Sequence, residues 1–118
     1  MDSRHTQPNY GALGGNSPFT LLSGTKIDRF GSDFGSFLSP TGTSYGERAL
    51  RPGTLRAPYS VFEVTSRLEV EAGTIAPWFG EVGMGTQYKL LGDSRVKDLL
   101  SSGQLKQIYR GPLNGYNH

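Results

Sequence analysis

The chain has 118 residues, enough for one domain with a modest hydrophobic core. Its 12 basic and 10 acidic residues give a net charge of +2, without the clustered basic face that is typical of proteins binding duplex DNA. The absence of cysteine excludes disulfides, thiolate metal sites and cysteine nucleophiles. No apolar run approaches the roughly 18 residues of a membrane span. We therefore expect a domain that neither binds nucleic acid nor inserts into a membrane.

The first third of the chain predicts a loose start followed by two short strands. Residues 1–17 are polar and rich in glycine, as expected of a flexible arm or linker. Aromatic and β-branched residues then predict strands over 18–22 and 25–30. From 32 to 42, Pro40 argues against any long regular element.

The middle of the chain predicts one short helix and two strands. Ser44 and Glu47 have the spacing of a capping box, which indicates a helix over about 44–50. The run 58–65 is the clearest strand in the sequence, because it is dense in β-branched and aromatic residues. Polar and apolar residues alternate over 67–71, which predicts a half-exposed strand.

The last third predicts a strand, a helix and a final strand. The strand covers 86–91, and a polar residue at 93 or 94 caps a helix that ends at 102, with Gly103 as its stop. A last strand follows over 104–110, and residues 111–118 look like a frayed tail. The fold class is therefore α+β, a compact β-rich domain with two or so short helices.

One stretch, residues 75–88, combines features that are unusual for plain scaffold. It reads IAPWFGEVGMGTQY and holds the only tryptophan, three closely spaced glycines and Gln87. The glycine order is GxxGxG and a strand follows, whereas a dinucleotide fingerprint needs GxGxxG before a helix. The spacing is thus weak evidence for phosphate binding, and a generic tight loop is the better interpretation of composition alone.

Other kinds of site are harder to find. His5 and His118, the only histidines, lie near the two ends, which argues against a histidine metal site or a Ser-His-Asp triad. No spacing singles out a pair of carboxylates for acid–base catalysis. The remaining candidates are arginines, aromatic residues and one glutamine. They form either a shared ligand site or ordinary surface and core: Arg29, Arg48, Phe37, Tyr45, Trp78, Phe79 and Gln87.

Six ordered blocks favour the ligand site, because together they resemble a known family. The blocks are DRFG (28–31), GSFLSPTGT (35–43), ERAL (47–50), PYSVFEV (58–64), IAPWFG (75–80) and GTQY (85–88). From about residue 18 to 110 the chain resembles the tuberculosis necrotizing toxin family of NAD glycohydrolases. The resemblance implies a β-rich relative of the ADP-ribosyltransferase core, with a split sheet.

The resemblance also implies roles for individual residues. It places the catalytic residues at Gln87 and Arg48. Substrate binding falls on Arg29, Phe37, Tyr45, Trp78, Phe79, Gly85 and Thr86. On this view the two arginines hold the pyrophosphate, and the glycines let the 80–85 loop close over the nicotinamide end of the substrate. A histidine that some members carry is replaced near 59–60. The loop departs from the usual GQPGGG at Glu81, Val82 and Met84, and Glu81 is a candidate to supply a missing negative charge.

The function implied is an NAD(P)+ glycohydrolase that yields nicotinamide and ADP-ribose. NAD+ or NADP+ is then a substrate, with no cofactor and no metal expected. Such a domain would be secreted or delivered as part of a longer protein, would deplete NAD in the cytosol of a target cell, and would have a cognate immunity protein as partner. Two alternatives remain open: ADP-ribosyl transfer to a protein, and a non-catalytic module that binds NAD or a partner.

Overall fold

Seven antiparallel strands form one sheet in a computed structural model that describes residues 12–50, 53–54, 57–77 and 80–116. The strand order across the sheet, each strand given with its bounds, is β1 (Ala12–Leu21), β5 (Leu68–Ile75), β6 (Thr86–Leu90), β3 (Phe37–Pro40), β2 (Lys26–Phe30), β4 (Tyr59–Val64) and β7 (Leu105–Gly111). The helical elements are the α-helix α1 (Val96–Ser102) and the 3₁₀ turns Gly46–Arg48 and Leu113–Gly115. None of the helices in the described ranges is long and apolar enough to cross a membrane.

Side chains alternate between the two faces of the sheet, and each face carries its own hydrophobic cluster. We call one the helix face, because α1 packs on it through Val96 and Leu99. The other buried members of its cluster are Leu21, Ile27, Leu38, Phe62, Val64, Leu68, Val70, Tyr88, Leu90 and Leu105. We call the other the aromatic face. Its cluster contains Phe30, Leu50, Tyr59 and Val61, with Tyr45, Ile108, Tyr109, Leu113 and Tyr116 packed against them.

The strands at 26–30, 59–64, 86–90 and 105–111 confirm the sequence predictions, whereas β1 and β3 differ from them. Strand β1 begins at Ala12, inside the stretch predicted as an arm, and pairs with β5 from Ala12↔Ile75 to Leu21↔Leu68. Strand β3 was not predicted at all. It pairs with β6 at Phe37 and Leu38, and with β2 at its other end. Both strands exist because distant partners satisfy their backbone groups, which local propensity does not report. Residues 1–11 lie outside the described part of the chain.

The helix predicted over 44–50 is only a 3₁₀ turn. The capping box itself is confirmed, since the Ser44 amide donates to Glu47 Oε1 at 3.0 Å and the Glu47 amide donates to Ser44 Oγ at 3.3 Å. The helix stops early because Ala49 adopts a left-handed conformation, with φ of 47°. The structure therefore has one α-helix among its described residues, not two.

Helix α1 and the final residues differ from prediction in their boundaries. The cap of α1 is Arg95, whose amide donates to Asp98 Oδ2 at 2.9 Å, and not residue 93 or 94. The stop at Gly103 is confirmed by its φ of 82°. The stretch predicted as a frayed tail instead packs on the aromatic face as far as it is described. The ring centroids of Tyr116 and Tyr109 lie 5.3 Å apart.

A pair of phenylalanines tests how much a buried side chain of the helix-face cluster contributes to stability. Phe62 is fully buried in the helix-face cluster, whereas Phe34 is 62% exposed. We expect Phe62→Ala to lower the free energy of unfolding by about 3–5 kcal/mol, because it leaves a cavity in a packed core. Phe34→Ala should cost less than about 1 kcal/mol, since most of the ring is already exposed and a cation–π contact such as that with Lys97 contributes little at an exposed position. Urea denaturation measures both, and equal losses would contradict the burial described here.

Candidate functional site

Strand β6 places Gln87 on the aromatic face, opposite Gly73 of the neighbouring strand β5. The residue is 0% exposed. Its Nε2 donates to Asn16 Oδ1 at 3.4 Å, while its Oε1 has no hydrogen-bond partner among the described residues. An unsatisfied buried polar group costs about 1–3 kcal/mol, so native proteins keep few of them. Gln87 Oε1 is therefore an unsatisfied buried acceptor in the described part of the chain.

The loop before β6 is held by backbone hydrogen bonds on two sides. On one side, the Met84 amide donates to Ile75 O at 2.6 Å and the Ile75 amide donates to Gly85 O at 2.7 Å. On the other, the amides of Gly83 and Gly85 donate to the carbonyls of Gly46 and Glu47. These bonds tie the loop to the end of β5 and to the 3₁₀ turn, so the residues immediately before Gln87 have a defined position.

The glycines of this loop allow close backbone approach. A Cβ atom on Gly83 would lie 2.7 Å from the carbonyl of Ala76, and one on Gly85 would lie 2.9 Å from Glu47 O. Met84 between them is a non-glycine residue with φ of 73°, a strained conformation of the kind that concentrates at functional sites. Gly83 and Gly85 therefore have a packing role, and closure of the loop over the substrate stays a prediction.

A buried ion pair lies beside that loop. Asp28 of β2 accepts two hydrogen bonds from Arg48, at 2.7 and 2.8 Å, and both residues are almost fully buried. Arg48 also donates to Thr43 O, and its guanidinium lies 5.0 Å from the centroid of the Phe30 ring. The bidentate geometry and the extra acceptor offset the cost of burying both charges.

Tyr59 completes this network by donating from its hydroxyl to Asp28 Oδ2 at 2.5 Å. Burial, and then the hydrogen bond to Asp28, raises the pKa of the Tyr59 hydroxyl far above its usual value of 10.0. Tyr59 therefore remains a neutral donor over the whole physiological range. Arg48 and Tyr59, from two separate segments, thus both donate to the carboxylate of Asp28.

Arg29 follows Asp28 in β2 and so points to the helix face. Its Nε donates to Ser32 O at 2.7 Å and its Nη1 to Phe37 O at 2.9 Å. A Cβ atom on Gly35 would lie only 2.0 Å from Arg29 Nη2, so the loop wraps closely around the guanidinium. The same loop receives the first amides of α1, from Val96 and Lys97.

A family model described as tuberculosis necrotizing toxin matches residues 20–108. The chain belongs to the tuberculosis necrotizing toxin family.

A curated relative in Aspergillus fumigatus, named conidial surface nicotinamide adenine dinucleotide glycohydrolase, is 43% identical over 96 residues. The alignment covers 75% of this chain and 40% of the relative, so this chain spans less than half of that protein's length. Two solved structures share the fold. One is tuberculosis necrotizing toxin in complex with its immunity factor IFT, with a TM-score of 0.74, 26% identity and coverage of 86% of this chain and 60% of that one. The other is Rhs1-CT with its cognate immunity protein RhsI1, with a TM-score of 0.61, 16% identity and coverage of 91% and 89%.

Within this member of the tuberculosis necrotizing toxin family, the predicted site residues separate into groups. Four lie on the aromatic face or on the 3₁₀ turn that packs against it: Phe37, Tyr45, Arg48 and Gln87. Arg29 lies on the opposite face, as does the exposed Thr86. Gly85 is in the tied loop, and Trp78 and Phe79 lie outside the described residues.

Both predicted arginines are engaged by the protein itself. Arg29 donates to backbone carbonyls, and Arg48 donates to a carbonyl and to the Asp28 carboxylate, so each guanidinium has a structural role. The two arginines lie on different faces of the sheet. That they jointly hold a pyrophosphate remains a prediction. Glu81, the proposed substitute carboxylate, is near the 3₁₀ turn, with its Oε1 3.5 Å from a Cβ built on Gly46. In the part of the chain that is described, no group of three or more acidic or histidine side chains forms a metal site.

Sequence reasoning missed two residues of this region, Asp28 and Asn16. Asp28 precedes the candidate Arg29 in the DRFG block, and no local signal in the sequence indicates that its carboxylate pairs with the distant Arg48. Asn16 lay in the stretch assigned to the arm, where glycine-rich composition obscured the strand.

Two glycines of the loop form a matched test of close packing. Gly80 and Gly83 both have positive φ, of 76° and 67°, but only Gly83 has backbone atoms where a Cβ would lie. Gly80→Ala should cost about 1–2 kcal/mol through conformation alone. Gly83→Ala should cost about 1–3 kcal/mol more, because the Ala76–Pro77 backbone must shift. Chemical denaturation compares the two, and an equal cost would contradict the tight loop.

The ion pair predicts that substitutions of Asp28 and Arg48 have non-additive effects on the free energy of unfolding. Asp28→Ala should lower the free energy of unfolding by about 3–5 kcal/mol, because it leaves the Arg48 charge buried without its carboxylate. The double variant Asp28→Leu with Arg48→Met should recover part of this loss, since no unpaired charge remains. Tyr59→Phe, which removes one donor, serves as the mild control at about 1 kcal/mol. Urea unfolding measures all three, and a double variant less stable than Asp28→Ala would contradict the pairing.

Proposed function

We propose that this chain is an NAD+ glycohydrolase that cleaves the bond between nicotinamide and ribose. Its membership of the tuberculosis necrotizing toxin family and its similarity to a relative named as an NAD glycohydrolase support the reaction. The structural observation that carries the proposal is Gln87, a fully buried amide whose Oε1 lacks a donor among the described residues. NAD+ enters as the substrate, and NADP+ as an alternative substrate.

The chemistry suits an uncharged amide. The C1′–N bond breaks with its electron pair going to nicotinamide, which leaves as a neutral pyridine and needs no general acid. The ribose becomes oxocarbenium-like, a water oxygen attacks C1′, and the proton of that water passes to solvent. Gln87 Oε1 is the negative end of a fixed dipole, so it stabilises the developing positive charge or accepts a hydrogen bond from the attacking water. A preorganised dipole of this kind needs no reorganisation during the reaction.

Aromatic side chains on the same face as Gln87 are candidates to line the substrate site. We propose Phe37 and Tyr45 as walls of the substrate site, together with Trp78 and Phe79 from the preceding stretch. Arg48 acts chiefly through position: its ion pair with Asp28 holds the 3₁₀ turn, and the carbonyls of that turn hold the loop that leads into Gln87. Arg29, Gly85 and Thr86 stay substrate-binding candidates from the family resemblance.

The proposal extends to the role of the domain as a toxin. Two solved relatives are complexes with an immunity protein, so we propose that a cognate immunity protein covers the Gln87 region of this chain. Val82 and Met84, which are exposed on the loop beside Gln87, are apolar contacts that such a partner would bury. Delivery by a longer protein to the cytosol of a target cell would then let the domain deplete NAD.

We also propose that the sheet is of the split type found in ADP-ribosyltransferase-like domains. Strand β3 supports this view, because its first half pairs with β6 and its second half pairs with β2. The strand thus joins two groups of strands, β1, β5 and β6 on one side and β2, β4 and β7 on the other.

Nicotinamide release tests the proposed reaction. The purified chain should release nicotinamide and ADP-ribose from NAD+, and Gln87→Ala should lower kcat by about 10²–10³-fold, the range for removal of one preorganised polar group. Gln107→Ala, at an exposed glutamine of β7, is the matched control and should keep the wild-type rate.

Other results of this experiment would contradict the proposal or favour one of the alternative functions. A folded protein that releases no nicotinamide is not a glycohydrolase, and a Gln87→Ala variant with full rate removes the residue from the mechanism. Radiolabel that moves from NAD+ onto a protein acceptor would indicate ADP-ribosyl transfer, and tight binding of NAD+ without turnover would indicate a binding module.

A further inference from the structure

Strand β1 contains an irregularity directly beside the candidate site. Leu13 pairs with Thr74 and Ser17 pairs with Ala72, so three residues of β1, 14–16, oppose the single residue Gly73. Gly14 and Gly15 make the bulge feasible, with φ of 76° and 89°. The consequence of such a bulge is to redirect a side chain, and the residue that follows the two glycines is Asn16.

The bulge aims Asn16 across β5 at Gln87. Strand β5 separates β1 from β6, and adjacent strands lie about 4.8 Å apart, so the two backbones are about 10 Å apart. Gly73, the β5 residue opposite both the bulge and Gln87, has no side chain to fill the space between them. Asn16 Oδ1 consequently reaches Gln87 Nε2, at 3.4 Å.

We propose that Asn16 is a positioning residue that fixes which end of the Gln87 amide faces the substrate. The proposal rests on the glycohydrolase reaction inferred above. Asn16 lies outside the residues 20–108 that the family model matches, so family membership does not assign it this role. Gly73 is the second requirement, because a side chain there would stand between the two amides.

The chemical reason is the asymmetry of an amide. Asn16 Oδ1 accepts a hydrogen bond from an NH₂ group but repels a carbonyl oxygen, so it favours the orientation in which Gln87 Nε2 points to β1. That orientation leaves Oε1, which has no donor among the described residues, as the end of the amide that the proposed reaction uses, because a cationic ribose or a water needs an acceptor. If the amide rotated by half a turn, the NH₂ group would face the developing positive charge and oppose it. Asn16 therefore acts through Gln87 and does not need to touch the substrate.

Steady-state kinetics on three variants test the role. Asn16→Ala should lower kcat about tenfold, the equivalent of one lost hydrogen bond, and leave KM within about twofold. Asn16→Asp keeps an acceptor oxygen at the same place and should restore kcat to within about threefold of wild type. Ser17→Ala changes the next, exposed residue of β1 and should have no effect. Loss of kcat in Asn16→Asp equal to that in Asn16→Ala, or no loss in either, would overturn the proposal.

A second measurement does not depend on turnover. In NMR spectra of the ¹⁵N-labelled wild-type chain, the side-chain NH₂ signals of Gln87 should show the shift and the slow solvent exchange of a hydrogen-bonded amide. They should lose both in Asn16→Ala and Gly73→Val and keep both in Asn16→Asp. Unchanged Gln87 signals in Asn16→Ala would overturn the positioning role even if NAD+ is hydrolysed. Altered signals in a chain that releases no nicotinamide would instead support the Asn16–Gln87 contact and overturn the proposed function.

Discussion

The bidentate pair between Asp28 and Arg48 is the interaction on which the candidate site depends. It joins the middle of β2 to the 3₁₀ turn after β3, and the Tyr59 hydroxyl links strand β4, the neighbour of β2, to the same carboxylate. Two charges removed from water are tolerated only when geometry and additional donors are good, and here they are. Removing either residue would leave the other charge buried without its bidentate partner, so the network holds three segments of the chain in one arrangement.

Backbone hydrogen bonds connect the ion pair to the candidate site. The turn that carries Arg48 presents the carbonyls of Gly46 and Glu47, which accept from the amides of Gly83 and Gly85. These glycines allow the close approach, and Gln87 is the second residue after Gly85. The loop thus fixes the backbone that leads into Gln87, and the side-chain amide of Gln87 donates to Asn16 Oδ1. A buried acceptor without a donor among the described residues is the kind of group that electrostatic preorganisation requires.

Sequence patterns predicted the regular parts of this structure well and its irregular parts poorly. The runs at 58–65 and 86–91 were recognised as strands because β-branched and aromatic residues alternate there, and Gly103 was recognised as a helix stop. Strand β3 was missed because four residues that end in Pro40 have no local preference that outweighs a loop. The start of β1 was missed because two glycines that serve a bulge look like linker composition.

For the site, the sequence by itself determined the residue types and, through six ordered blocks, the family. It determined that Gln87 begins a strand, that Arg48 follows a capping box and that glycines surround the loop. Only the tertiary structure decided how these residues are used. Asp28 and Arg29 are neighbours in the chain, yet strand alternation sends one to the ion pair and the other to the opposite face. Asn16 and Gln87 are 71 residues apart, yet they meet because antiparallel pairing across β5 aligns a bulge, a glycine and an amide. Such contacts depend on strand order and register, which no local pattern of residues encodes.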